Sequence, residues 1–199
     1  MIWMDGHLMS PGKDSVYGER LTVGCRVWDP SRSKLAALYH QGCAPPLEAG
    51  MKVLYLGAAH GTTVSHVADY VEVVYAVENA TRPMQDLLRV AEHWENIIPI
   101  FADATRPWEY APLVEEVDLL YQDVAHPDQP GIALANLPFL RTGGEVILIL
   151  KTRSIDVTAD PALVVAEGKK RCQAGGIHIT RECWVAPHHR DHAALLGKK

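Results

Sequence analysis

Val53-Leu54-Tyr55-Leu56-Gly57-Ala58-Ala59-His60-Gly61-Thr62-Thr63 decides the fold. Four apolar residues ending at a glycine read as a buried strand. The small residues that follow make a turn through which a ligand can approach the backbone. Val64, Val67, Ala68 and Val71 then recur at helical spacing. Strand, small-residue turn and amphipathic helix together open an α/β crossover unit with a parallel sheet. The alternation continues downstream. Val73–Val77 reads as a second strand ending at Glu78, and the next helix has Pro83 just inside its start, with Met84, Leu87, Leu88 and Ala91 on one face. Ile97–Phe101, Leu119–Tyr121 and Glu145–Leu150 read as further strands, with Asp103, Asp123 and Lys151 at or just beyond their ends. Asp160-Pro161 opens a helix running to Cys172, and two strands near Ile179–Val185 and Ala193–Leu196 close the chain.

Upstream of residue 51 the pattern changes. Val16-Tyr17 and Val27-Trp28 read as short strands around Gly18 and Gly24, and Ser31–Lys34 opens a short helix carrying Leu35, Leu38 and Tyr39. The expected organisation is a small antiparallel β subdomain with a short helix over residues 1–46 and an α/β domain over 47–199.

The 199 residues are 48% hydrophobic and 22% charged, ordinary globular usage, which excludes disorder, collagen and coiled coil as the main state. Val146–Leu150, the longest apolar run, falls far short of the roughly 20 residues of a membrane span, and the first residues lack the features of a signal peptide. A soluble cytoplasmic chain is expected. Its four cysteines, Cys25, Cys43, Cys172 and Cys183, lie far apart without C-x-x-C, so they read as reduced, half-buried thiols. The net charge of −5 is unevenly spread: residues 1–50 are neutral, 51–150 strongly acidic and 151–199 basic. Such a chain is not expected to hold RNA tightly by itself, because affinity for phosphates comes largely from counterion release.

Ligands of open α/β sheets collect outside the carboxyl ends of the strands. There the sequence places Gly57–Thr63, Glu78, Asp103, Asp123 and Lys151. Against G-x-G-x-x-G the turn offers Gly57, Ala59 and Thr62, a poor match for a dinucleotide. Glu78 stands where such folds hold ribose hydroxyls, and Asp103 is placed to accept from an adenine amino group. An adenosine ligand without a pyrophosphate is implied, and S-adenosylmethionine fits. A lysine directly after a run as apolar as Val146–Leu150 snorkels from the sheet edge, or sits beside Asp123 to orient a hydroxyl or handle a proton. His188-His189-x-x-His192 has ligand-like spacing but lacks the acid or cysteine partners of a metal site.

These residues carry a resemblance. Val16–Arg20, Arg26–Ala37, Val53–His66, Asn96–Pro99, Asp103–Thr105, Asp123–Ala125, Lys151–Thr158 and Arg190–Ala193 are together similar to the fibrillarin family in its archaeal form. The resemblance implies the class I methyltransferase fold, α/β with a seven-stranded Rossmann-like sheet whose last strand is antiparallel. The implied activity is RNA-guided 2′-O-methylation of ribose within a box C/D ribonucleoprotein. Implied partners are a Nop-type scaffold, a kink-turn-binding protein, guide RNA and target RNA. Cofactor contacts carry over to Gly57, Ala58, Gly61, Thr62, Thr63, Glu78, Asp103, Ala104, Asp123 and Gln129, and the catalytic set to Lys34, Asp123, Lys151 and His192. No metal is implied. His60 stands where the family usually has serine. Competing readings are a stand-alone methyltransferase of proteins (at glutamine) or small molecules, and a structural subunit without catalysis.

Overall fold

The computed structural model describes residues 1–12 and 15–199. Strands β1 (Ile2–Met4), β2 (His7–Pro11), β3 (Leu21–Thr22) and β4 (Cys25–Val27) form an antiparallel sheet in the order β1-β2-β4-β3. Helix α1 (Lys34–His40) follows, its first turn closed by Ser33, whose side chain accepts from the Ala36 amide at 3.2 Å. Next come β5 (Lys52–Leu56), α2 (Thr62–Ala68), β6 (Val73–Glu78), α3 (Thr81–Ala91), β7 (Ile97–Phe101), β8 (Val117–Gln122), α4 (Gln129–Asn136), β9 (Leu140–Lys151), α5 (Thr152–Ile155), α6 (Pro161–Ala174), β10 (His178–Trp184) and β11 (His192–Lys198).

The seven strands β5 to β11 make one sheet in the order β10-β11-β9-β8-β5-β6-β7, parallel except for β11, which runs antiparallel to both neighbours. Successive residues of its central strands point to opposite faces, and both faces are covered. Val53, Tyr55, Val74, Ala76, Leu119 and Tyr121 pack with α1, α2 and α3, whereas Leu54, Leu56, Tyr75, Val77 and Leu120 pack with α4 and α6. No helix among the described residues is long and apolar enough to cross a membrane.

The small sheet is locked onto the first face. Arg26, fully buried, pairs with Asp69 at 2.7 Å, donates to Ser65 Oγ and lies over the Trp94 ring. Asp69 also accepts from Trp94 Nε1 at 2.7 Å and from Ser10 Oγ at 2.6 Å. The Ser10 hydroxyl has one proton, and a carboxylate can only accept, so His66 Nδ1–H must donate to Ser10 Oγ across their 2.7 Å contact. Trp28 stacks on the His66 ring.

Four expectations need correction. Val16-Tyr17 is a bend, not a strand, held by Glu19, whose side chain accepts from both backbone amides. Leu88 is 51% exposed, and α3 buries Met84, Leu87 and Val90 instead. Helix α2 stops at Ala68, so Val71 is buried beyond it. Cys43 and Cys183 are not free thiols but a disulfide across a separation of 140 residues, leaving Cys25 and Cys172 free. The topology, not the spacing, brings them together: β10 passes beside the loop leaving α1, where Arg181 also donates to the Gly42 carbonyl.

Titrating thiols in denaturant without reductant is expected to count two per chain, and four would refute the bridge. The chain-entropy estimate for closing such a long loop is about 5 kcal/mol, with 2–4 more typical. Cys43→Ser with Cys183→Ser is therefore expected to lower Tm by at least about 5 °C relative to the oxidised protein. A second prediction concerns acid. Burial, then neighbouring Arg26, pushes the pKa of His66 down to about 3. The unfolded chain binds the proton that the folded chain refuses, so stability falls as pH drops below about 6.5. Between pH 7 and 5 His66 accounts for a loss of about 2 kcal/mol. His66→Asn keeps a donor for Ser10 without titrating and is expected to flatten that part of the urea-unfolding profile; an unchanged slope would refute the assignment.

Candidate active site

The sheet order reverses direction between β5 and β8, and loops leaving the carboxyl ends of two such strands diverge to open a crevice. Gly57 follows β5 and Asp123 follows β8, with the Asp123 amide donating to the Leu56 carbonyl at 2.9 Å. Only glycine suits the first position. Its φ is +80°, and a Cβ there would stand 2.7 Å from the Asp123 carbonyl oxygen. The crevice holds a cavity of about 300 Å³ lined by Gly57, Ala59, Glu78, Asp103, Ala104, Asp123 and Lys151, among others.

One end of this cavity is built from acceptors. Glu78, the last residue of β6, is 9% exposed and accepts from the Ala59 amide at 2.8 Å and the Ala80 amide at 2.7 Å. Ala59 has φ +48°, a left-handed conformation unusual for a residue with a Cβ, and the Glu78 carboxylate holds it there. Asp103 lies just past β7, and the Thr105 amide bonded to it lowers its pKa from the ordinary carboxylate value. It is therefore an ionised acceptor at neutral pH.

The other end is cationic. Lys34, at the start of α1, donates to Asp123 Oδ2 at 2.9 Å. Lys151, at the end of β9, stands 2.9 Å from Asp123 Oδ1 and donates to the Asp123 backbone carbonyl at 2.9 Å. Two ammonium groups thus grip one carboxylate. His192 joins them through register: β11 runs antiparallel, so its first residue pairs with Lys151, the last of β9. A carbonyl only accepts, so His192 Nδ1–H donates to the Arg190 oxygen at 2.6 Å and Nε2 remains the acceptor of the neutral ring. Burial, opposed by that bond and assisted by Lys34, lowers the His192 pKa, so the ring is neutral at pH 7.

The structure thus brings Lys34, Asp123, Lys151 and His192 together and sets Gly57, Glu78, Asp103 and Ala104 around the cavity. The remaining residues carried over from the resemblance do not line the cavity. Ala58 is buried, Gly61 caps α2 with φ +83°, and Thr62 faces a separate recess beside Arg32 and Trp28. Thr63 donates to Ser33 Oγ at 3.1 Å, tying the loop to the cap of α1. Gln129 is fully buried, and both ends of its amide are bonded to backbone: Oε1 accepts from the Lys151 amide at 2.9 Å, and Nε2 donates to the His126 carbonyl at 2.9 Å. Its observed contact is with the main chain of Lys151. Sequence reasoning missed His126 and Pro83 in the cavity wall. Each stands a few residues past a strand end, and that position was the available signal for them.

The profile of the fibrillarin family matches residues 6–199. A fibrillarin-like rRNA/tRNA 2′-O-methyltransferase of Methanoculleus marisnigri is 59% identical over 196 residues, 98% of this chain and 98% of that one. Among solved structures, fibrillarin in a fibrillarin/Nop5p complex superposes with a TM-score of 0.94 at 42% identity, over 98% of this chain and 95% of that one. Aeropyrum pernix fibrillarin, solved with natively bound S-adenosyl-L-methionine, superposes at 0.84 with 43% identity, over 92% and 84%. The match spans the small N-terminal sheet from residue 6 as well as the seven-stranded one, and it includes every residue of the crevice. On that evidence the chain belongs to the fibrillarin family.

Proposed function

We propose that this protein is an S-adenosylmethionine-dependent methyltransferase acting on ribose 2′-hydroxyls of rRNA and tRNA, guided by RNA within a box C/D ribonucleoprotein. The observation that carries the reading is the two-ended cavity, with carboxylate acceptors at Glu78 and Asp103 and a paired ammonium centre on Asp123. The family relationship supports it. In this reading residues 47–199 form the methyltransferase domain, and residues 1–46 supply Lys34 to it.

The donor fits the residues present. Glu78 retains lone pairs for ribose hydroxyls beyond its two amide bonds, and ionised Asp103 suits an exocyclic amine. The absence of a side chain at Gly57 lets the turn after β5 pack against the Asp123 carbonyl in the cavity lining. When bound, S-adenosylmethionine supplies an electrophilic methyl group on a sulfonium centre. The protein's own work is orientation and charge. Because Asp123 holds both Lys34 and Lys151, the ammonium centre carries a net positive charge without reorganising, and it steadies negative charge developing on the 2′-oxygen. Both lysines act as ammonium groups in that arrangement, so the hydroxyl proton passes to His192 Nε2, the acceptor left by the Arg190 contact. Fixing these four groups on α1, β9, β11 and the end of β8 accounts for much of the expected acceleration.

A net charge of −5 suits dependence on partners. A Nop-type scaffold, with a kink-turn-binding protein, presents guide and target RNA. Ribose methylation at one guided nucleotide is expected in the complete mixture and not when the scaffold is omitted. Methylation of unguided RNA by the chain alone would overturn this reading. Lys151→Ala is expected to lower single-turnover methylation at least about a hundredfold while leaving donor affinity within a few-fold. Glu78→Ala is expected to weaken donor binding at least about tenfold by calorimetry, having lost a charged acceptor and the restraint on Ala59. A donor Kd unchanged in Glu78→Ala would place the adenosine elsewhere.

A further inference from the structure

Lys34 is the one member of the ammonium centre that does not stand on the seven-stranded sheet, and its reach to Asp123 depends on where α1 is held. The C-terminal end of α1 is held covalently. Past it, Cys43 is bridged to Cys183, Gly42 accepts from Arg181 at 2.6 Å, and Gln41 donates to the Ala186 carbonyl. All three bonds run to β10 or the loop that follows it. The front of the helix is preceded by the turn Asp29-Pro30-Ser31-Arg32-Ser33, which is stiff in itself. Asp29 Oδ1 accepts from both the amide and the hydroxyl of Ser31 at 2.7 Å, and Ser33 caps the helix. Among the described residues, one hydrogen bond joins this turn to the C-terminal hairpin: His189 Nε2 donates to the Pro30 carbonyl at 2.9 Å.

The loop that carries His189 is fixed to the sheet on its other side. Asp191, at φ +55°, presents its carbonyl to both the amide and the hydroxyl of Thr152, at 3.0 and 2.9 Å. Thr152 is fully buried and directly follows Lys151. The His189 amide donates to the Val185 carbonyl at 2.9 Å, and the Val185 amide donates to the His192 carbonyl at 2.9 Å, so the loop is closed on itself. A continuous brace therefore runs from Lys151 through Thr152, Asp191 and His189 to Pro30, four residues before Lys34.

Resting on the function proposed above, we infer that His189 is a positioning residue of the reaction: its Nε2–H bond to Pro30 fixes α1 at the distance from β9 that lets Lys34 and Lys151 share Asp123. Burial, then the nearby Lys34 charge, holds the His189 pKa below the ordinary histidine value, so the ring is neutral at pH 7. Its single proton must lie on Nε2, because the Pro30 carbonyl can only accept. When this bond is lost, the Thr63–Ser33 bond and the disulfide keep α1 attached to the α2 loop and to β10, but the turn ahead of Lys34 is no longer tied to the β9 side of the site. The helix then shifts rather than detaches, and the effect falls first on the Lys34–Asp123 contact.

The test compares His189→Ala and His189→Gln with wild type in the oxidised full chain, since glutamine offers an N–H at the reach of Nε2. The first readout needs no substrate. In a lysine side-chain ¹⁵N spectrum the ammonium signal of Lys34, slowed in exchange by its pair with Asp123, is expected in wild type and His189→Gln and is expected to vanish in His189→Ala. The second is single-turnover methylation in the assembled particle. His189→Ala is expected to be slower by at least about tenfold with unchanged donor Kd and RNA affinity, and His189→Gln to recover most of the rate. Persistence of the Lys34 signal in His189→Ala refutes the inference, as does a glutamine variant no better than alanine when both melt with wild type. A wild-type particle that does not methylate, while the Lys34 signal follows the bond as expected, refutes the proposed function and leaves the brace standing.

Discussion

Two ammonium groups that repel each other are held within hydrogen-bonding distance of one carboxylate, and most of the architecture serves that arrangement. Asp123 alone stands at the switch point of the sheet. Lys151 reaches it from the neighbouring strand, and Lys34 from a helix outside the sheet altogether. Each pair is partly screened, with side chains 15–20% exposed, so the Coulombic attraction of an isolated pair is modest. Attraction of that size cannot by itself order three separate elements. The order comes from elsewhere, and the ion pairs form because the backbones are already in place.

What places them is a set of buried polar locks around the first face of the sheet. Arg26 and Asp69 fasten the small sheet to α2, and with Ser10, Ser65, His66 and Trp94 they leave few polar atoms of that interface unpaired. Replacing one partner of such a pair costs about 3–5 kcal/mol, because the other charge is then buried alone. The disulfide and the His189 bond hold α1 from the opposite direction, against the C-terminal hairpin. The N-terminal residues are thus clamped between α2 and β10, and Lys34 is the charged group delivered by that clamp.

The parts legible in the sequence are those governed by local pattern. Buried parallel strands announce themselves as unbroken apolar runs, so β5 to β9 and the residues at their carboxyl ends follow from reading alone. The small sheet was harder, because its strands are two to five residues long and Met9-Ser10 alternates no better than a loop. Helix α4 went unread for a related reason: Gln129-Pro130-Gly131 looks like a turn, and only the Asp128 cap on the Gly131 amide makes it a helix start. The Cys43–Cys183 bridge has no local signature at all. Lys34 and His192 entered through resemblance, since nothing in their own surroundings marks them; their positions follow from the cap of α1 and from the register of β11.

The antiparallel strand repays a closer look, because it solves a geometric problem. A parallel strand begins at the amino edge of the sheet, far from the crevice, and brings its last residue and the loop after it to the site. A strand that runs the other way begins at the crevice, so the loop before it also lies there. β11 therefore delivers His192 by register and, through the loop Val185–Asp191, the carbonyls of Arg190 and Asp191 and the ring of His189. These atoms set the tautomer of His192, anchor Thr152 behind Lys151 and fix the turn ahead of Lys34. The loop that ends β10 and the first residue of the reversed β11 together touch the chain beside both lysines.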